Sequence, residues 1–118
     1  MIVVRNTDPS APVVTQSSLS FKAMGLLIFI LTHPASWSLT LDNLCDAKTD
    51  DKDSVLEGLS ELYQADYLLF FRWQTKGGNW IEEYLVFETP ELRDRYLKIL
   101  PEDRKQYIKD PASKWGTV

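Results

Sequence analysis

Apolar side chains fill residues 21–31 almost without interruption, since Lys22 is the only charged residue among them. A helix that is apolar nearly all round belongs inside a fold, so this segment predicts a central helix with Ser20 as its N-cap and an end before Pro34. Gly25 costs about 1 kcal/mol in a helix relative to alanine. We therefore expect Gly25 to let a second backbone approach closely.

A second, short helix is predicted after the turn that follows Pro34. Thr40 is a suitable N-cap for a helix from residue 41 to about residue 47, and Asp42 lies favourably in its first turn. The side of this helix that we expect to be buried consists of Leu41, Leu44 and Cys45.

The clearest helical periodicity follows Asp51, which is a suitable N-cap for a third helix. Apolar residues recur here with the spacing of one helix face, at Val55, Leu56, Leu59, Leu62 and Tyr63. The opposite face is polar and carries Asp53, Glu57, Ser60, Glu61 and Gln64. The pattern predicts an amphipathic helix with one face towards the core and the other in solvent.

Two runs rich in β-branched and aromatic residues, 68–73 and 80–87, predict a β-hairpin. The connection between them contains Gly77 and Gly78, which can supply the positive φ that a tight turn needs. Both faces of the strands are apolar, so both need to be covered. We expect one face to hold Leu69, Phe71, Tyr84 and Val86, and the other to hold Leu68, Phe70, Leu85 and Phe87.

The two ends of the chain add further elements. Residues 2–4 predict a short strand, and the prolines at positions 9 and 12 predict an irregular lead-in up to residue 18. Past Pro90 a helix is predicted, followed by a short turn that begins at Pro101 and ends near residues 107–108. The apolar positions that could cover the hairpin from this side are Leu92, Tyr96, Ile99 and Leu100.

Three segments resemble one family in order and in spacing. Residues 19–27 read LSFKAMGLL, residues 59–68 read LSELYQADYL, and residues 83–90 read EYLVFETP. They are similar to the "LS-x-K-A-x-G-L-L" opening, the "L-x-E-L-x-x-x-G-Y-L" ending of the third helix and the last wing strand of winged-helix domains. Such domains occur in phage and plasmid replication initiators and related small helix-turn-helix proteins. The resemblance spans about residues 19–90.

The resemblance implies an α+β fold, a winged helix-turn-helix with a three-helix core and a β-hairpin wing. Residues 1–18 would be the strand and lead-in, and residues 19–90 the winged helix-turn-helix domain. Residues 91–118 would be a C-terminal helical extension that packs on the wing or forms a dimer contact. The length of 118 residues and the 44% of hydrophobic residues suit one globular domain.

In winged-helix domains the third helix meets the major groove and the wing contacts phosphate or the minor groove. The resemblance therefore implies a DNA-binding regulator or replication-associated protein of phage or plasmid origin. The candidate DNA contacts are Lys48, Thr49, Lys52, Ser54, Arg72, Lys76, Asn79 and Trp80. Basic and aromatic groups on the wing can hold phosphates or stack on bases. Trp73 and Trp80 also have a second interpretation, as a cross-strand pair that fixes the hairpin register.

The charge distribution supports an alternative function. The net charge is −4, yet residues 42–66 alone hold eight acids and two bases, whereas residues 90–118 hold seven bases and five acids. Acids on the third helix repel DNA phosphates but would attract a basic protein surface. The alternative is an acidic, DNA-mimicking inhibitor of a nucleic-acid-handling host complex, with a partner face of Asp50, Asp51, Asp53, Glu57 and Glu61. Either function is compatible with a homodimer contact through residues 91–109.

Catalytic chemistry is sparse in this sequence. His33 is the only histidine and Cys45 the only cysteine, so neither a catalytic triad nor a zinc site can be assembled, and we expect no enzyme activity, no metal and no cofactor. The longest apolar run, residues 23–31, is far shorter than the roughly 20 residues that cross a bilayer, so no membrane association is expected. The lone cysteine and the lack of a signal-peptide pattern predict a cytoplasmic protein.

Overall fold

The computed structural model describes residues 2–4, 19–32, 40–47 and 51–113. The elements in chain order are β1 (Ile2–Val4), α1 (Phe21–Thr32), α2 (Leu41–Ala47), α3 (Lys52–Gln64), β2 (Leu68–Gln74), β3 (Trp80–Phe87), α4 (Pro90–Ile99) and α5 (Glu102–Lys105). Within the described residues the chain thus folds as five helices and one three-stranded sheet. The predicted α+β class is confirmed.

The three N-terminal helices begin where the sequence predicts, because each has a side chain that accepts a backbone hydrogen bond from its first turn. The Ser20 hydroxyl accepts from the N–H three residues later at 3.2 Å. The Thr40 hydroxyl does the same at 3.1 Å, and the Asp51 carboxylate at 2.8 Å. These caps satisfy N–H groups that a helix start leaves without intrahelical partners.

The sheet has the strand order β1-β3-β2, with β1 parallel to β3 and β2 antiparallel to it. The hairpin register places Leu68 opposite Val86 and Leu69 opposite Leu85. The predicted assignment of residues to the two faces was therefore wrong, because it combined odd positions of the first strand with even positions of the second. A register change of one residue moves every side chain of a strand to the other face.

Each face of the sheet is buried against helices, as the two apolar faces require. The first cluster joins α1, α2 and α3 to one face, through Leu27, Leu59, Leu68, Phe70, Tyr84 and Val86. The second cluster covers the other face with the C-terminal segment and contains Leu69, Phe71, Leu85, Phe87 and Leu100, with Tyr96 and Ile108 packed against them. The base of the hairpin therefore lies between two helical layers, and its tip extends beyond them.

Helix α1 is less enclosed than its composition predicts. Ala23, Leu27 and Ile30 are fully buried, but Phe21 is 92% exposed and Ile28 is 42% exposed. The expectation of a helix buried on all sides was therefore wrong. One stripe of α1, the one that carries Ala23, Leu27 and Ile30, packs into the core, and the opposite stripe faces outward.

The expected role of Gly25 has no counterpart in the part of the chain that the structure describes. A Cβ atom built on Gly25 would have none of the described atoms within 4 Å, so none of their backbone approaches it. The close approach occurs instead at Gly58 of α3, where a Cβ atom would lie 3.0 Å from the Leu26 Cδ2 atom. Helices α1 and α3 cross at this second glycine.

The turn between α3 and β2 departs from the motif that the sequence resembles. Asp66 stands where the motif has glycine, and its φ of 72° lies in the left-handed region. Asp and Asn tolerate this region better than other residues with a side chain. The Asp66 carboxylate is also 3.2 Å from the Arg93 guanidinium, which ties this turn to α4.

Candidate nucleic-acid interface

The tip of the hairpin is a short turn closed by its own backbone. The N–H of Thr75 donates to the carbonyl of Asn79 at 2.8 Å, and the Gln74 amide donates to the carbonyl of Gly78 at 2.9 Å. Gly78 has a φ of 87°, whereas Gly77 does not adopt a positive φ, so only one of the two glycines plays the expected part. The turn presents the exposed side chains of Lys76 and Asn79 to solvent.

Arg72 and Trp80 form the most specific contact near this tip. The guanidinium carbon of Arg72 lies 3.9 Å from the centroid of the Trp80 ring, which is a cation–π distance. The Arg72 Nε atom is also 3.4 Å from a carboxylate oxygen of Glu82, its partner on the opposite strand. Trp80 is 52% exposed, so part of the tryptophan stays accessible while the arginine is held against it.

Trp73 lies on the other face of the hairpin. It is opposite Ile81 in the register, whereas Trp80 is opposite Gln74. The Trp73 ring packs instead near Tyr107, with 6.3 Å between the ring centroids, and both line a pocket of about 270 Å³. The interpretation of Trp73 and Trp80 as a cross-strand pair was therefore wrong, because adjacent register positions point to opposite faces.

The start of α3 contributes fewer candidate contacts than the hairpin. Lys52 is exposed and Ser54 is half-buried, and both lie in the first turn after the Asp51 cap. The predicted contacts Lys48 and Thr49 and the predicted acidic residue Asp50 lie outside the described residues. The structure thus brings Arg72, Lys76, Asn79 and Trp80 together at one end of the hairpin. Arg72 and Trp80 lie on the two strands, and Lys76 and Asn79 lie in the turn that joins them.

The acids of α3 are largely engaged within the chain. Glu57 forms an ion pair with Lys22 at 3.0 Å, and Asp51 caps the helix. The Glu61 carboxylate accepts two hydrogen bonds from Ser20, one from the backbone N–H at 2.6 Å and one from the hydroxyl at 2.8 Å. Of the acids on this helix within the described residues, Asp53 is the one whose carboxylate has neither a hydrogen bond nor an ion pair.

Sequence reasoning missed the contact between Ser20 and Glu61. Both residues were singled out, one as a cap and one as a solvent-facing acid, but 41 positions separate them. No local pattern connects residues so far apart. Their meeting depends on the crossing of α1 over α3.

Sequence reasoning also missed an apolar groove beside the same crossing. We call it the α1 groove; it has a volume of about 280 Å³ and is lined by Phe21, Lys22, Gly25, Leu26, Phe29, Leu44, Ser54 and Val55. The sequence signal was present, because α1 carries apolar residues on every side. The pattern was interpreted as complete burial.

The surroundings of the cysteine on α2 disfavour its thiolate form. Partial burial raises the pKa of the Cys45 thiol, and the nearby carboxylates of Asp42, Asp46 and Asp51 raise it further, although Lys52 opposes them. A thiol of this kind stays protonated near neutral pH and is a poor nucleophile. Among the described residues no cluster of His, Cys, Asp and Glu side chains has an arrangement suited to a metal ion.

No helix in the described part of the chain combines the length and the apolar character needed to cross a membrane. Comparison with known protein families, characterised proteins and solved structures gave no match.

Proposed function

We propose that this chain is a winged helix-turn-helix protein that binds DNA, with the tip of the β2–β3 hairpin as its leading contact. The observation that carries the proposal is the Arg72 guanidinium held 3.9 Å over the half-exposed ring of Trp80, beside a turn that presents Lys76. A regulatory or replication-associated role follows from the resemblance of residues 19–90 to winged-helix domains of phage and plasmid initiators.

The order of elements supports a winged-helix arrangement. Three helices precede a hairpin, α3 follows α2 after a short connection, and the hairpin tip extends beyond the helical layers. The left-handed conformation of Asp66 is a second support, because it occurs where the family motif has glycine. Glycine adopts this conformation without steric cost, so the glycine of the motif and Asp66 of this chain can form the same turn.

The acids of α3 would repel DNA phosphates, and their partners within the chain reduce this repulsion. Lys22 balances Glu57, and the N-terminus of α1 surrounds the Glu61 carboxylate with hydrogen-bond donors. A carboxylate near a helix N-terminus has part of its charge compensated by the helix dipole. DNA phosphates near α3 would thus meet less repulsion than the bare count of acids suggests.

The same contacts bear on the alternative function, an acidic partner face that imitates DNA. Such a face needs carboxylates that point into solvent as an array. Within the described residues Asp53 meets this condition, and Glu57 is exposed but paired with Lys22, whereas Glu61 and Asp51 accept hydrogen bonds at helix starts. We therefore prefer the DNA-binding proposal. If the protein does not bind DNA, the acidic partner face becomes the leading hypothesis.

Fluorescence anisotropy with labelled random-sequence DNA, duplex and single-stranded, tests the proposal at 50 and 150 mM salt. We expect saturable binding that weakens with salt, because counterion release dominates non-specific affinity. Lys76→Ala should weaken binding and reduce the salt slope by about one. Trp80→Ala should weaken single-strand binding most, since stacking on a base contributes about 1–3 kcal/mol.

The matched control is Lys98→Ala, which removes an exposed lysine from α4 rather than from the hairpin. We expect this variant to bind DNA as the unchanged protein does. Equal losses in both lysine variants would show that the hairpin does not lead the contact. Absence of binding to either DNA form at 50 mM salt would overturn the proposal.

A further inference from the structure

The pocket beside Trp73 lies on the opposite side of the sheet from α1, between the hairpin and the C-terminal segment. Its volume of about 270 Å³ is slightly below the roughly 300–1,000 Å³ of sites for drug-sized ligands, so it suits a small molecule. We call it the aromatic pocket; it is lined by Phe71, Trp73, Glu83, Tyr96, Leu100, Asp103, Arg104 and Tyr107. Four of these eight residues are aromatic, and none of them belongs to the proposed DNA contact.

Backbone and ring contacts hold the aromatic walls of this pocket in place. The N–H of Arg72 donates to the carbonyl of Tyr107 at 3.0 Å, so the C-terminal segment runs along the edge of β2. The ring centroids of Trp73 and Tyr107 lie 6.3 Å apart, with 48° between the ring planes. On the helical side, the centroid of the Tyr96 ring lies 5.7 Å from that of Phe87, which belongs to the second core cluster. The aromatic faces are thus held by contacts within the chain, which lowers the entropic cost of binding a ligand.

Glu83 places a carboxylate among these rings. It lies opposite Phe71 in the hairpin register, on the sheet face that carries the second core cluster, and it is half-buried. Among the described residues the Glu83 carboxylate has neither a hydrogen bond nor an ion pair, whereas the neighbouring Glu82 is paired with Arg72. A charge that is partly removed from water without a partner costs free energy. A bound cation would offset this cost.

The other two charged residues of the lining are exposed to solvent. Asp103 and Arg104 are consecutive residues of α5. Their opposite charges offset each other, so the lining carries one net negative charge, that of Glu83. An anionic ligand would be repelled by this carboxylate, and a neutral ligand would leave it without a partner. A cation would be attracted both to the carboxylate and to the negative faces of the aromatic rings.

We propose that the aromatic pocket binds a small organic ammonium ion, with Glu83 as its counter-charge and the rings of Trp73 and Tyr107 against its carbon groups. The quadrupole of a tryptophan or tyrosine ring attracts an ammonium ion to the ring face, and the attraction strengthens where water is excluded. Trp73 and Trp80 point to opposite faces of the hairpin, so this site is separate from the proposed DNA contact. The two proposals can fail independently.

NMR titration of the isotope-labelled full chain with choline, at constant ionic strength, tests the proposal. The comparison ligand is 3,3-dimethylbutan-1-ol, which has the shape of choline with a neutral carbon in place of the charged nitrogen. We expect choline to shift the indole N–H signal of Trp73 saturably and to leave that of Trp80 in place. The neutral alcohol should bind at least about tenfold more weakly, a difference of about 1.4 kcal/mol.

The same headgroup occurs on free small molecules and on methylated lysine side chains. A short peptide that carries trimethyllysine is therefore titrated in parallel with choline. The ligand that binds more tightly identifies the source of the ammonium group.

Three variants alter the lining of the pocket. Glu83→Gln removes the charge and keeps the shape of the side chain, so it should weaken choline binding by about tenfold and leave binding of the neutral alcohol unchanged. Tyr107→Leu keeps an apolar side chain but removes an aromatic face, which should weaken choline binding by about three- to tenfold. Arg104→Gln should strengthen choline binding by about twofold, because it removes a positive charge that repels the bound cation.

Glu91→Gln is the matched control, because it removes the same charge from an exposed position in the first turn of α4, outside the pocket lining. It should bind choline as the unchanged protein does, and circular dichroism should show that all four variants are folded. Equal losses in Glu83→Gln and Glu91→Gln, or equal binding of choline and the neutral alcohol, would overturn the proposal. So would the absence of binding of both choline and the trimethyllysine peptide to the unchanged protein.

Discussion

The Glu61 carboxylate of α3 accepts hydrogen bonds from both the backbone N–H and the hydroxyl of Ser20, the N-cap of α1. The Ser20 hydroxyl in turn accepts from the N–H of Ala23, so a side chain of one helix completes the cap of another. The contact joins the first and third helices at the point where α1 begins. It fixes the end of α1 that carries the exposed Phe21.

Replacement of Glu61 by alanine should destabilise the protein by about 1–2 kcal/mol, because hydrogen bonds to a charged group and loss of a cap have effects of this size. Glu61→Gln should cost less, since its amide oxygen can still accept one of the two bonds. Urea unfolding monitored by circular dichroism measures both. Equal stability of Glu61→Ala and the unchanged protein would show that this contact is not maintained in solution.

The two helix glycines should respond in opposite ways to the same substitution. Gly25→Ala should stabilise the protein by about 1 kcal/mol, because the added methyl group has none of the described atoms within 4 Å and removes the entropic cost of glycine. Gly58→Ala should give a smaller gain or a loss, because its methyl group would lie 3.0 Å from Leu26 Cδ2. Thermal unfolding of the two variants, measured side by side, tests this prediction. A larger gain at Gly58 would contradict the crossing of α1 and α3 described above.

The two hairpin tryptophans should differ in their effect on stability. Trp73→Ala should cost about 2 kcal/mol, because the ring packs against the second core cluster and near Tyr107. Trp80→Ala should cost less than about 1 kcal/mol, since the half-exposed ring loses mainly its contact with Arg72. Denaturant unfolding distinguishes the two. Similar losses in both variants would support the cross-strand pairing that the hairpin register excludes.

Stability at alkaline pH should depend on Tyr84. Burial raises the pKa of its phenol far above the ordinary value of about 10, and the charges of Glu82 and Cys45 add to the shift. A group whose folded pKa is raised contributes stability that is fully present below its unfolded pKa and is lost as the pH rises above it. Stability should therefore fall above about pH 10, and less steeply in Tyr84→Phe. Urea unfolding at several values between pH 8 and pH 11 measures the slope, and identical slopes in the two proteins would contradict the expectation.

Several elements could be predicted from sequence because their determinants are local. The caps Ser20, Thr40 and Asp51 each accept a bond from a residue three positions later, so cap and donor are visible in one short window. The hairpin and α4 follow from β-rich runs and a helical period. The candidate contacts on the hairpin could also be foreseen as a group, since a turn of five residues joins their strands.

Other features could not be predicted because they depend on residues far apart in the chain. The two faces of the hairpin were misassigned because the register changes by one residue without any change in composition. The cap that Glu61 provides and the glycine at the α1–α3 crossing require the angle between two helices. The partial exposure of α1 depends on the room that the first sheet face leaves for it.

The sequence by itself determined where the helices and strands begin and that both faces of the sheet would be covered, because caps, turns and periodicity act over a few residues. Only the tertiary structure decided which side chains share a face, which acids are engaged and which stripe of α1 stays open. Those outcomes depend on strand register and helix crossing, which bring together groups as distant as Ser20 and Glu61. An apolar pattern indicates what a helix can bury, and packing decides what it does bury.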